Sequence, residues 1–149
     1  MRKLYVILTV TSIILFSIIV WIFNKPYDLY SLREIENSIT PTSVNFRLRN
    51  YSLNPVYYGS SYELEKKENG KWVEVKMISD YIAFRSTLFR IGRFSSVVIE
   101  EYWGDTYGRL ENGEYRYSKE LYINTEEKQI KSIVRIYCVF TIAANDKHN

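Results

Sequence analysis

The sequence predicts an all-β chain, an antiparallel β-sandwich preceded by one N-terminal transmembrane helix. Three observations predict it. The run Leu4 to Phe23 has no charge and no proline. From Pro41 onward, apolar residues recur at every second position. Turn residues then divide the chain at about 8–12-residue intervals, with no sustained helical period between them.

The first element is the anchor. Residues 1–3, Met1-Arg2-Lys3, form a short basic N-terminus, and 4–23 follow as an uninterrupted apolar stretch. About 20 helical residues at ~1.5 Å each span the ~30 Å hydrocarbon core of a bilayer. Thr9, Thr11, Ser12 and Ser17 are tolerated there because hydroxyls bond back to helix carbonyls. Trp21 lies near the outer end, where an interfacial aromatic is expected. The competing reading is a cleaved signal peptide. Those have apolar cores of ~7–15 residues and a small-x-small cleavage site. Ile19-Val20-Trp21-Ile22-Phe23-Asn24-Lys25 offers no small residues, and the only cysteine, Cys138, is far away, which excludes a lipid-modified N-terminus. An uncleaved signal anchor is therefore expected. The positive-inside rule keeps Arg2 and Lys3 in the cytoplasm and puts the C-terminal domain outside the cell membrane.

Residues 24–40 read as a linker. Lys25-Pro26 interrupts the helix, and Ser31 with Glu34 has capping-box spacing for a short helical turn between Tyr27 and Ser38. The β domain occupies 41–142. Val44, Phe46 and Leu48 alternate with Asn45, Arg47 and Arg49, the pattern of a half-buried strand. Tyr57 to Lys67 is a second strand and Trp72 to Val75 a third. Asn69-Gly70 joins them, since both central residues of a tight hairpin need positive φ. Lys76 to Arg93 is irregular, with strand-like pieces at Tyr81–Phe84 and Thr87–Phe89. Ser95 to Trp103, Glu114 to Ile123 and Lys131 to Ile142 are strands. In the last, Val134, Ile136, Cys138, Phe140 and Ile142 share one parity. Residues 143–149 form a polar tail.

Leu110, Gly113 and Tyr115 have the Leu-x-x-Gly-x-Tyr spacing of a tyrosine corner, a device of immunoglobulin-like sandwiches. In it a Tyr at the start of a late strand turns its hydroxyl back onto the preceding backbone. The structural motif residues are thus Leu110, Gly113, Tyr115, Asn69, Gly70 and Trp72. Most of the 14 tyrosines fall in predicted strands. They pack well on a half-buried sheet, and the same residues could line a carbohydrate site.

At these residues the chain resembles a family of bacterial immunoglobulin-like domains on exported, membrane-anchored or lipoprotein chains, mostly of Gram-positive bacteria. Pro41 to Asn50 is similar to the family's opening strand with its closing Asn. Tyr58 to Lys67 with Asn69-Gly70-Lys71-Trp72, and Tyr107 to Leu110 with Gly113 to Arg116 and Lys119, carry the rest. The likeness covers roughly Pro41 to Ile142. Two turns depart from it: Ile91-Gly92-Arg93 stands where Pro-Gly is usual, and Asn112 where Pro precedes the corner glycine. The resemblance implies an immunoglobulin-like sandwich outside the cell, and no catalytic residues.

The chemistry-bearing residues fit no motif. With 20 basic and 17 acidic residues, Arg2 and Lys3 belonging to the anchor, the outer part is nearly neutral and lacks a nucleic-acid-binding patch. Arg85, Arg90 and Arg93, three arginines spread over nine positions, read as a solvated loop or strand face. The sole histidine is His148, in the tail, so neither a His-dependent hydrolase nor a His-bearing metal site is expected. Cys138 sits on an apolar parity without a base beside it. One cysteine permits no intrachain disulfide. Glu100, Glu101, Asp105, Glu111, Glu114 and Glu120 cluster late in the chain. Two acids ~5–10 Å apart could hydrolyse a glycoside, but adjacent strand residues such as Glu100 and Glu101 face opposite ways.

The expectation is a membrane-tethered extracytoplasmic binding module. It is not an enzyme, carries no cofactor or metal, and binds an unknown protein or cell-wall ligand. The alternatives are a wall-polymer or glycan-acting enzyme with paired carboxylates, and a structural accessory subunit whose anchor helix contacts a membrane complex through Thr9, Thr11, Ser12 and Ser17.

Overall fold

The computed structural model describes residues 2–23, 29–78, 87–124 and 130–143. The expected strand at Tyr81–Phe84, Arg85, most of the tail and His148 lie outside them. Helix α1, Arg2–Phe23, comes first. Its described side chains run from Val10 to Val20, and Ile13, Ile14, Leu15, Phe16, Ile18 and Ile19 are all exposed. Among the described residues, no helix is long and apolar enough to cross a membrane.

Two antiparallel sheets follow. Sheet A contains β1 (Tyr30–Glu34), β2 (Ser43–Asn50) and β7 (Ser95–Tyr102), in the order β1-β2-β7. Sheet B is built on β8 (Gly113–Asn124). One edge of β8 pairs along its length with β9 (Ile130–Ile142). The other edge pairs with β4 (Glu63–Glu68) near Tyr115–Ser118 and with β3 (Val56–Tyr58) near Leu121–Ile123. The outer strands are β5 (Lys71–Glu74) beside β4 and β6 (Phe89–Ile91) beside β3. Three early and middle strands thus face a sheet centred on the last hairpin, as in an immunoglobulin-like sandwich.

Three differences from the sequence expectation have physical causes. The stretch around Ser31 is a strand rather than a helical turn: Tyr30 to Glu34 pairs in register with Asn50 to Phe46. Five residues with Tyr30 and Leu32 buried gain more from a sheet edge than from one capped turn. The domain therefore begins before Pro41. The strand expected over Tyr57–Lys67 is two, broken between Tyr58 and Glu63. The turn region after Trp103 holds a one-turn helix, α2 (Gly104–Tyr107).

The core lies between the sheets. Phe46 of β2 meets Tyr117 of β8 at a ring-centroid distance of 4.3 Å, and both are fully buried. Tyr117 lies two residues after Tyr115, where antibody domains place an inter-sheet cysteine. An aromatic pair ties the sheets here. Trp103 and Tyr115 stack on Phe140 at 5.5 and 5.9 Å. Buried Asn50 uses its whole amide. It donates to the carbonyls of Asn54 and Gly92 and accepts from the Ser52 backbone N–H and hydroxyl. That pins the turn after β2 to the turn before β7, with no polar group of Asn50 left buried and unpaired.

Candidate functional site

The residues singled out in the sequence are scaffolding by position. Asn69 and Gly70 have φ of 50° and 79°, the left-handed values that a two-residue hairpin needs. The Tyr115 hydroxyl donates to the Glu111 carbonyl at 2.9 Å, and Leu110 beneath it is buried. Gly113 has a φ of 159°, a backbone conformation that L residues rarely adopt, which favours glycine at the corner. The corner is fastened from the far side as well. Trp103 Nε1 and the Leu110 N–H both donate to the Pro41 carbonyl, at 2.9 and 2.8 Å.

Trp72 has a second position. On the outward face of sheet B, the Arg116 guanidinium lies 4.8 Å from the Trp72 ring centroid and 5.1 Å from that of Tyr137. Its Nε and Nη2 fork onto the two Glu65 oxygens at 2.6 and 2.8 Å. This bidentate pair, flanked by two rings, fixes a long side chain in one geometry. The Glu65 pair raises the Arg116 pKa further. Lys67 Nζ lies 5.5 Å from the Trp72 ring centroid and pairs with Glu114 at 2.8 Å. Tyr137, Val139 and Ile133 of β9 extend the face and are about half exposed.

The carboxylates do not form a reactive pair. Glu111 pairs with Lys66, Glu114 with Lys67 and Glu120 with Arg135. The Lys66 and Arg135 bonds hold the Glu111 and Glu120 carboxyls below the usual range. Such acids are poor proton donors near neutral pH. Glu100 is exposed, whereas Glu101 turns inward, as strand alternation requires. Among the described residues, no three His, Cys, Asp or Glu side chains group to hold a metal. Burial pushes the Cys138 thiol up to about 11, so it is not a nucleophile near neutral pH.

One cluster is illegible in the sequence. Lys119 faces the interior and is almost wholly buried, with Glu101 Oε1 at 2.8 Å, the Tyr117 hydroxyl at 3.1 Å and the Ser61 carbonyl at 3.4 Å. Tyr117 donates to Glu101 at 2.6 Å. The rings of Tyr58, Tyr62 and Tyr117 each lie 5.7 Å from the ammonium. Desolvation, then the Glu101 charge, drives the Tyr117 pKa well up. The ammonium's contacts are supplied from within the fold, so the cluster is a buried clasp between the sheets.

Residues 29–133 match the family model described as bacterial Ig-like domain. No curated protein matches the chain. Among solved structures, the ASH/PapD-like domain of human CEP192 (PapD-like domain 7) aligns with a TM-score of 0.37 at 12% identity, covering 78% of this chain and 86% of that one.

Proposed function

The chain belongs to the bacterial Ig-like domain family, and we propose that it is a membrane-tethered, non-enzymatic interaction module that binds a protein partner through the outward face of sheet B. The observation that carries this is the stack of Trp72, Arg116 and Tyr137 on an exposed sheet, beside half-exposed Val139 and Ile133. Trp, Tyr and Arg are the residues that concentrate binding energy at protein interfaces. Arg116 is already held by Glu65, so little rotamer freedom is lost when a partner covers it. The engaged carboxylates favour this reading over a glycan-acting enzyme.

The tether is supported by the apolar run through α1. A helix that is apolar all round needs a lipid or protein environment, and its described apolar side chains are uncovered. With Arg2 and Lys3 before it, the sandwich is extracytoplasmic.

Two experiments test these parts. Protease added to intact protoplasts is expected to digest the sandwich. Protection until lysis would reverse the orientation. A photo-crosslinking residue at Tyr137 is expected to form a protein adduct in cells that Trp72→Ala and Arg116→Ala abolish, while the same residue at Val98 on sheet A forms no protein adduct. Equal adducts at both positions, or an adduct indifferent to Trp72 and Arg116, would remove the sheet B face.

A further inference from the structure

We propose that the outward face of sheet A docks on anionic phosphate headgroups of the bilayer, through Arg33, Arg47 and Arg49. The inference rests on the tethered reading above. Arg33 stands directly opposite Arg47 across β1 and β2, and Arg49 is the next outward residue along β2. All three are exposed, and among the described residues no ion pair reaches any of them.

Like charges directly opposite in an antiparallel pair cost stability. An anion between them removes that cost. Guanidinium forks match phosphate oxygens in pairs, and the arginines line a hollow of about 210 Å3 that would admit one such group. The other charges here do not fill that role. Glu34 and Glu36 line the β1 side of the hollow, and Glu100 lies one row away opposite Asn45. Burial raises the Glu34 pKa, and neither Glu34 nor Glu36 forms an ion pair with these arginines among the described residues. The Arg49 Nη1 hydrogen bond to the Tyr51 hydroxyl, 3.1 Å, leaves its remaining donors available.

Chain connectivity favours a headgroup as the anion's source. Helix α1 ends at Phe23 and β1 begins at Tyr30, so the intervening chain can separate them by no more than about 25 Å. Of all the strands, β1 is tied most closely to the lipid. On the sheet B face Lys67, Arg116 and Arg135 are each paired with a carboxylate.

The full chain, reconstituted in vesicles and labelled with a fluorophore at Ser96→Cys, provides the test. Ser96 lies opposite Arg49, and the buried Cys138 thiol escapes labelling. Quenching by nitroxide-headgroup lipid reports docking. Strong quenching is expected with roughly 30% phosphatidylglycerol and weak quenching in phosphatidylcholine alone. About fivefold per arginine, or on the order of 100-fold in the docked-to-undocked ratio, should be lost in R33Q/R47Q/R49Q. Salt at about 1 M, with a Debye length near 3 Å, should release the face. Equal quenching in both lipids, or a triple variant that docks like the parent, would overturn the proposal. Displacement by inorganic phosphate at constant ionic strength would reassign the site to free phosphate and overturn the headgroup. Extraction of the chain by alkaline carbonate would defeat the tether instead. A chain that stays in the membrane but ignores lipid charge would defeat this inference alone.

Discussion

On the outward face of sheet B, Lys67, Arg116 and Arg135 each meet a carboxylate at 2.6 to 3.0 Å, whereas on sheet A Arg33 faces Arg47 and, among the described residues, neither meets one. The strands share one core and one alternation of side chains, so the difference lies in which charges the register brings together. In sheet B, β4 supplies Glu63, Glu65 and Lys67 to an edge whose partners carry Arg135, Arg116 and Glu114. In sheet A, β1 and β2 each bring arginine to the same row. A self-neutralised face binds by contact: its charges are already oriented and salt changes little. An unpaired basic face acts over a Debye length and weakens as salt rises. The two faces are thus suited to different surfaces, a protein and an anionic layer, and a tethered domain between them could engage both at once.

The two sheets are joined electrostatically at Lys119 of β8 and Glu101 of β7, and the largest expected effect lies there. Lys119→Met would leave the Glu101 carboxylate partly buried without its cation. Breaking such a pair from one side costs about 3–5 kcal/mol. Lys119→Met with Glu101→Leu should recover much of that, because removing both charges removes the desolvation cost along with the attraction. Denaturant melts of the two variants measure the difference. A single variant that loses less than ~1 kcal/mol would mean that the aromatic contacts, Phe46 on Tyr117 foremost, hold the sheets without the clasp.

Tyr115→Phe comes next. It removes the donor to the Glu111 carbonyl while keeping the ring stacked on Phe140. The expected loss is about 1–3 kcal/mol with the fold unchanged. An unmoved denaturation midpoint would show that Trp103 and Leu110, bonded to the Pro41 carbonyl, secure the corner by themselves. This test concerns the tyrosine corner at the start of β8 in sheet B.

The alternation of Val44, Phe46 and Leu48, the Asn69-Gly70 turn and the parity of β9 could be read from the chain because each is a local signal. β1 could not. Tyr30-Ser31-Leu32-Arg33-Glu34 is short, and Ser31 with Glu34 satisfies a capping box; only the partner strand β2, supplied by the fold, decides between them. The break after Tyr58 was hidden for a related reason. Period two continues through it, and the interruption follows from β8 taking β3 and β4 in succession along one edge. The sites were less legible still. Lys119 has the composition of a solvated strand residue, and its cation is accounted for only by Glu101, 18 positions earlier and on the other sheet. The arginine cluster the sequence singles out, Arg85, Arg90 and Arg93, does not include the basic face of sheet A. That face depends on Arg33 lying opposite Arg47, a register that could not be predicted without β1.

The smallest effects test the comparison of faces most directly. Arg116→Ala on sheet B removes the Glu65 fork and both ring contacts. The pair is partly exposed, so a loss of about 1 kcal/mol is expected rather than several. Arg47→Thr on sheet A should have the opposite sign. It removes a like-charge neighbour of Arg33 and places a β-branched residue on a strand, and a gain of about 0.2–1 kcal/mol follows. Salt separates the two contributions to that gain. High salt screens the repulsion between exposed arginines but leaves β propensity unchanged. The advantage of Arg47→Thr should therefore shrink between low and ~1 M salt, whereas the deficit of Arg116→Ala, part of which comes from ring contact, should persist. Parallel melts at the two salt concentrations read both. If Arg47→Thr destabilises, or if its advantage is the same at both, Arg33 and Arg47 are not repelling one another, and sheet A has no uncompensated charge for an anion to relieve.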